Sequence, residues 1–139
     1  MAITSALCTS YKKETLQGTH LAADVYKVAL YTSTATLDKS TTAYSVTNEV
    51  SGTGYVAGGA TLAGYTAGSD ANSAWLDWTT DPSWASSTIT ARGALIYNST
   101  QANKAIAVLD FGADKTSTNG AFTLVLPAPA ASTAIIQFT

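Results

Sequence analysis

The sequence predicts a mainly β protein, an antiparallel β-sandwich or barrel-like body of about seven strands with a short N-terminal helix. β-branched and aromatic residues alternate with period two from Asp24 onward, turn residues separate the short runs, and no sustained helical pattern follows each strand. The length of 139 residues fits one domain, 1–139. Within it we expect an N-terminal helical segment or arm over residues 1–21 and a β body over residues 22–139.

The N-terminal helix is predicted from its start and stop signals. Ser10 is expected to cap a run from Tyr11 to Gln17, and Gly18 is expected to end it. Leu7 and Tyr11 are four positions apart and would share one apolar face of the helix.

The strands are predicted from β-branched and aromatic runs bounded by turn residues. The seven runs are Val25–Tyr31, Ala60–Thr66, Ala74–Thr79, Thr88–Tyr97, Lys104–Phe111, Ala121–Leu126 and Thr133–Phe138. Between the first two runs, Ser33 to Tyr44 is expected to form a long polar surface loop, and a glycine-rich loop follows at 52–59. Thr118-Asn119-Gly120 is expected to be a turn, because Asn-Gly accepts positive φ at low cost.

The composition argues against catalysis. Only 12% of the residues are charged, and the chain has one histidine and one cysteine. Most enzyme sites need a general base, an activated nucleophile or a metal cluster, so no catalytic, cofactor-binding or metal-binding residue is predicted. The net charge of −2 and the scattered basic residues argue against a nucleic-acid partner. No apolar run approaches the roughly 20 residues that a membrane span needs, so no membrane partner is predicted either.

The short motifs that could indicate a ligand site favour structural roles instead. Gly52 to Ala57 matches a loose dinucleotide-binding pattern, but no strand–helix context surrounds it. His20 follows the predicted helix, and with no nucleophile or acid to nominate it is expected to be a helix-end or interface residue. Calcium binding is a minor alternative, because four aspartates could converge at one cluster of loops although no EF-hand spacing is present. These aspartates are Asp77, Asp81, Asp110 and Asp114.

Aromatic residues are the predicted contact residues, because tryptophan and tyrosine are enriched at protein interfaces. The candidate interface residues are Tyr11, His20, Tyr55, Trp75, Trp78 and Trp84. Trp75 and Trp78 would lie on opposite faces of a regular strand, so that one fills the core and the other points outward. The outward ring could anchor a protein interface or stack on a sugar, and both alternatives stay open.

Four long segments carry a resemblance to a known family: Tyr26–Ser33, Asn48–Gly59, Thr88–Asn98 and Ala107–Ser117. They resemble a family of small virion structural proteins of tailed bacteriophages. The resemblance extends from about Ala2 to the C-terminus.

The resemblance implies a capsid decoration (cement) protein, often assembled as a homotrimer, that binds and stabilises the shell of the major capsid protein. It would be made in the cytoplasm of the bacterial host and would lie on the capsid surface of the virion. The alternative is a tail or tail-fibre component, including a receptor-binding module for host glycans, and a virion-bound hydrolase is the least favoured. We expect residues 2–20 or 33–59 to make subunit contacts.

Overall fold

Two antiparallel sheets and one short helix make up the fold of the computed structural model, which describes residues 2–139. The elements are β1 (Ala6–Leu7), α1 (Thr9–Leu16), β2 (Tyr26–Tyr31), β3 (Ala60–Thr61), β4 (Ala63–Ser69), β5 (Ala74–Thr80), β6 (Ser83–Asn98), β7 (Lys104–Thr123) and β8 (Ile136–Phe138). The mainly β, sandwich-like body with a short N-terminal helix is thereby confirmed.

The five-stranded sheet has the order β1-β7-β6-β2-β3, and the three-stranded sheet has the order β4-β5-β8. The chain passes from the first sheet to the second at Leu62, whose side chain is buried and whose backbone N–H donates to Tyr26 O at 2.8 Å. The prediction of one strand over Ala60–Thr66 is therefore wrong, because burial of Leu62 divides it between two sheets. The predicted last strand, Thr133–Phe138, shortens to β8.

The β6–β7 hairpin is the longest feature and differs most from expectation. Its pairing runs from Asn98 opposite Lys104 to Ser83 opposite Thr123. The two predicted strands Lys104–Phe111 and Ala121–Leu126 are joined in β7, so the predicted turn at 118–120 is wrong. Asn119 does have positive φ, at 47°, but as an irregularity inside the strand. The ladder resumes after it because β6 continues alongside.

The helix begins earlier than predicted, since Cys8 rather than Ser10 occupies the N-cap position. The Cys8 N–H donates to Ile106 O in β7 at 2.9 Å, so pairing with the sheet sets where the helix begins. Gly18 follows the helix with φ +72°, the left-handed conformation that ends many helices. Tyr11 is 4% exposed and belongs to the same core as the strands, so the N-terminal segment packs into the β body.

Aromatic rings fill the space between the two sheets. The ring of Tyr26 lies 5.4 Å from that of Trp78 and 5.5 Å from that of Tyr65. Near the start of β6, Trp84 lies 6.1 Å from Phe122. These contacts bury Tyr26, Trp78, Trp84 and Phe122 inside the body.

Candidate interaction surface

Residues 32–59, named here the 32–59 loop, connect β2 to β3 without a named helix or strand of their own. Connections longer than about 15 residues are uncommon in small domains, and those that are ordered are usually functional. The contacts that hold this loop therefore indicate where a functional surface lies.

A buried carboxylate anchors the loop. Glu49 is 9% exposed, and its Oε1 accepts hydrogen bonds from Tyr55 Oη at 2.6 Å and from Gly58 N at 2.8 Å. Its Oε2 accepts from Tyr44 Oη at 2.7 Å. Tyr55 Oη in turn accepts from the backbone N–H of Leu30 in β2 at 2.9 Å. These contacts, named here the Glu49 network, join four residues of the loop to one another, and Tyr55 connects them to the five-stranded sheet.

Further tyrosines extend this anchor. The ring of Tyr44 stacks on Tyr97 of β6 at 4.7 Å with an interplanar angle of 16°. Tyr97 Oη donates to Gly58 O at 2.6 Å, and Tyr31 Oη donates to Ser45 O at 2.6 Å. The loop is thus fixed by side chains that begin in the sheet.

The surroundings keep these phenols protonated. Burial raises the pKa of Tyr44 and of Tyr55, and the hydrogen bond of each to Glu49 raises it further. Burial, and then the charge of Glu49, raise the pKa of Tyr97 to about 12. At neutral pH each hydroxyl therefore carries its proton and can donate. Tyr44 and Tyr55 donate to the Glu49 carboxylate, which needs such donors when it is removed from water, and Tyr97 donates to Gly58 O.

The N-terminal segment lies beside the loop. Leu37 N donates to Ala2 O at 3.1 Å, and Thr4 N donates to Leu37 O at 2.9 Å. Farther along, Thr9 N donates to Lys39 O at 2.8 Å. The two segments expected to make subunit contacts therefore adjoin each other and form one continuous surface.

The outer side of this surface is mostly neutral. A cleft of about 430 Å³ opens beside the loop, and serine and threonine side chains make up half of its lining: Thr36, Ser40, Thr41, Thr42, Ser45 and Thr47. Val46 is 63% exposed and Val56 is 77% exposed. Such a surface offers neutral hydrogen bonds and modest apolar contact, which depend on salt less than ion pairs do.

His20 is held inside the chain. Its Nε2 lies 3.1 Å from Glu14 Oε2, and its Nδ1 lies 3.0 Å from Nδ2 of the fully buried Asn98. Its ring lies 5.0 Å from that of Tyr11, and its side chain is 4% exposed. His20 therefore connects the end of the N-terminal segment to the β6–β7 hairpin and presents almost no surface to a partner.

Most of the predicted interface residues are core residues, which corrects the expectation for them. Tyr11, Tyr55, Trp78 and Trp84 are 4%, 9%, 1% and 7% exposed, because other parts of the same chain cover their rings. Trp75 alone among the three tryptophans is only partly buried, and it lies on the face of β5 opposite to Trp78.

The residues that sequence reasoning missed are Glu49, its hydrogen-bond partner Tyr44, and Tyr97, whose ring stacks on Tyr44. One signal was present in the sequence, since Glu49 is the only charged residue between Lys39 and Asp70. Glutamate is buried almost only when it is paired, and Tyr44 and Tyr55 lie within six positions of Glu49 as donors that could pair with it.

The four aspartates of the calcium alternative lie in three different settings. The Oδ1 of the buried Asp77 accepts from Trp78 N at 2.8 Å, and Asp81 Oδ1 accepts from Leu126 N at 2.8 Å. Asp110 and Asp114 lie 3.6 Å and 3.7 Å from the guanidinium of Arg92. Over residues 2–139, no three His, Cys, Asp or Glu side chains are grouped so as to hold a metal ion, so these four aspartates do not converge as the calcium alternative required.

The fold and this surface together describe a mainly β, sandwich-like protein with an anchored loop. Comparison of the chain with protein-family models, with curated proteins and with solved structures finds no match. The one helix in the described part of the chain is too short to cross a bilayer.

Proposed function

We propose that this chain is a structural protein of a tailed-bacteriophage virion, a capsid decoration (cement) protein that binds and stabilises the major capsid shell as a homotrimer. The observation that carries the proposal is the resemblance of the four sequence segments named above. They fall in β2, the 32–59 loop, β6 and β7, so the resemblance spans the five-stranded sheet and the loop that the sheet anchors.

The anchored loop supports a binding role. A surface that is ordered before binding loses less conformational entropy when a partner covers it. The Glu49 network fixes the 32–59 loop in the isolated chain, and the N-terminal segment lies against it. A decoration protein needs such a surface, because modest contacts are repeated over the many identical copies of a shell.

Substitution of an exposed valine tests whether this surface binds the capsid. Full burial of a valine side chain contributes roughly 1.5–3 kcal/mol. We expect Val56→Asp to reduce the number of copies bound per particle and to leave the fold intact, because the side chain is 77% exposed. Val125→Asp is the matched control, since Val125 is 74% exposed but lies outside both expected contact segments.

The measurement is the molar ratio of this chain to the major capsid protein in purified particles, with its position determined by cryo-electron microscopy. Hundreds of copies on the head, and a trimer in analytical ultracentrifugation, are the expected results. A bare head with density on the tail would overturn the decoration role, and a monomer would overturn the trimer. Point variants suit this test better than deletion of residues 2–18, which would remove Cys8 and Tyr11 from the core.

A tail-fibre component that binds host glycans is the second candidate, and Trp75 favours it. A Cβ on Gly68 would lie 2.4 Å from Trp75 Cζ2, so the ring rests against the bare backbone of β4 and keeps part of its surface open. Aromatic faces of this kind stack on sugar rings. Loss of glycan-array binding in Trp75→Ala, with assembly unchanged, would favour this candidate, and no binding by the parent protein would exclude it.

A further inference from the structure

We propose that Asn119 is a site of spontaneous deamidation in the folded protein, which converts it to aspartate and isoaspartate. Of the five asparagines in the chain, Asn119 alone precedes a glycine. The absence of a Cβ at Gly120 lets its backbone nitrogen approach the side-chain carbonyl carbon of Asn119. Asparagine is also among the residues that are least durable at high temperature.

The surroundings of Asn119 leave its side chain weakly held. Asn119 is exposed and has φ 47° at an irregularity of β7. Its Oδ1 lies 3.5 Å from Thr88 Oγ1, the long limit for a hydrogen bond. No other strand of the described chain pairs with this part of β7 on the side away from β6. This part of the strand is held only on the β6 side, where Asn119 N donates to Thr88 Oγ1 at 3.0 Å, so its local opening requires separation from β6 alone.

Asn98 shows the opposite arrangement in the same hairpin. It is fully buried, and its Nδ2 donates to Asp24 Oδ2 at 2.8 Å. Its Oδ1 accepts from the backbone N–H groups of Thr100 and Gln101 at 3.1 Å and 3.2 Å. The residue after it is Ser99, so both the structure and the sequence protect Asn98 from the same reaction.

The reaction balances with solvent alone. The Gly120 nitrogen loses its proton to water or hydroxide and bonds to Cγ of Asn119. Nδ2 takes up a proton from water, the Cγ–Nδ2 bond breaks, and ammonia leaves. The resulting cyclic imide then takes up one water molecule. Opening at the side-chain carbonyl gives aspartate, and opening at the main-chain carbonyl gives isoaspartate, which lengthens the backbone by one carbon.

The product would alter the end of β7. Ser87, which is fully buried, donates from Oγ to Gly120 O at 3.0 Å and lies 2.7 Å from Ser117 Oγ. An isoaspartate at 119 adds a negative charge and shifts the ladder between these contacts. We expect residues after 119, including Phe122, to exchange backbone hydrogens faster in the modified protein.

The test is peptide mass spectrometry after incubation of the folded protein at mildly alkaline pH for days to weeks. Chymotryptic cleavage after Phe111 and Phe122 isolates the peptide 112–122. We expect that peptide to gain one mass unit and to become a substrate for isoaspartyl methyltransferase, while peptides with Asn72, Asn98 and Asn103 stay unchanged. Reaction of peptide 112–122 at no more than the rate of those peptides would overturn the proposal, as would reaction only after denaturation.

Gly120→Ala is the matched control. A Cβ at this position would lie 3.6 Å from Thr118 O, an ordinary contact, so the variant should fold. We expect it to slow the mass gain at least tenfold, because the methyl group hinders attack by the backbone nitrogen. A folded Gly120→Ala protein that reacts as fast as the parent would overturn the proposed route.

Discussion

Phe111 and Phe122 belong to the same strand, β7, yet their ring centroids lie 6.5 Å apart. Eleven residues of a straight strand would separate them by about 36 Å. Between them the β6–β7 register shifts repeatedly, first between Ala91 and Gly93 and again near Ser87. The strand therefore bends back on itself, and its concave side forms a groove of about 450 Å³ beside Val125.

Truncation of the two phenylalanines should have unequal effects. Phe122 is 8% exposed and contacts Trp84, so Phe122→Ala should lower the free energy of unfolding by about 3–5 kcal/mol. Phe111 is only partly buried, so Phe111→Ala should cost less than half as much. Urea unfolding of both variants and of the double variant measures the losses. Equal losses of stability in the two single variants would contradict the structure, in which the bend of β7 buries Phe122 against Trp84.

Removal of the buried charge in the 32–59 loop should loosen that loop. Glu49→Gln replaces one acceptor oxygen of the carboxylate by an NH2 group and weakens the hydrogen bonds from Tyr44, Tyr55 and Gly58. We expect a loss of about 1–3 kcal/mol in the free energy of unfolding. Hydrogen exchange should rise in residues 44–58 and stay unchanged in β5.

Asp38→Asn is the control for that variant. Asp38 lies in the same loop, and its carboxylate accepts from the neighbouring Ser40. We expect Asp38→Asn to change the free energy of unfolding by no more than about 0.5 kcal/mol. An equal effect of the two substitutions would show that the Glu49 network does not hold the loop.

Two glycines with similar φ should respond differently to alanine. At Gly59, φ is +77° and a Cβ would lie 1.8 Å from Val28 O, so Gly59→Ala adds a backbone clash to strain. At Gly18, φ is +72° with no atom within 4 Å of the Cβ position, so strain acts alone. We expect the free energy of unfolding to fall by about 3–5 kcal/mol in Gly59→Ala and by about 1–2 kcal/mol in Gly18→Ala. Thermal unfolding compares the two variants. Similar decreases in their melting temperatures would contradict the close approach of Gly59 to β2.

The dependence of stability on pH should show the burial of Asp77. Burial raises the pKa of its carboxyl, although the bond from Trp78 N opposes this. Between the ordinary and the raised pKa, the folded chain keeps a proton that the unfolded chain has lost. The free energy of unfolding therefore falls as pH rises through that interval, and it stays lowered at neutral pH.

Asp77→Asn should remove this fall. The variant should match the parent in acid and exceed it in melting temperature at neutral pH. Asp114→Asn is the control, since the Asp114 side chain is 51% exposed. A parent protein that becomes more stable relative to Asp77→Asn as pH rises would contradict the prediction.

Local patterns were enough for part of the fold. The predicted strands Val25–Tyr31 and Ala74–Thr79 lie within one residue of the observed Tyr26–Tyr31 and Ala74–Thr80, and Gly18 predicted the end of the helix. They were not enough for residue 119, where Asn-Gly predicted a positive φ and also a turn. The positive φ is intrinsic to that residue pair, whereas a turn also requires the partner strand to end, and β6 does not end there.

The contact role of the candidate surface stays a prediction. We expected residues 2–20 or residues 33–59 to make subunit contacts, and the structure places these two segments side by side. The expected aromatic contact residues were mostly wrong, because alternation along a strand does not say which face a second sheet covers. Trp84 illustrates this, since Tyr55 and Phe122 cover it from distant parts of the chain.

The sequence by itself determined that this chain is mainly β, that a short helix precedes the strands, and that its surface carries few charges. These properties depend on residue type and near-neighbour spacing. Only the tertiary structure decided that Glu49 is a buried anchor, that Leu62 divides two sheets and that β7 bends until Phe111 meets Phe122. Each of these depends on contacts between residues far apart in sequence, whose free energy exists only once the chain has folded.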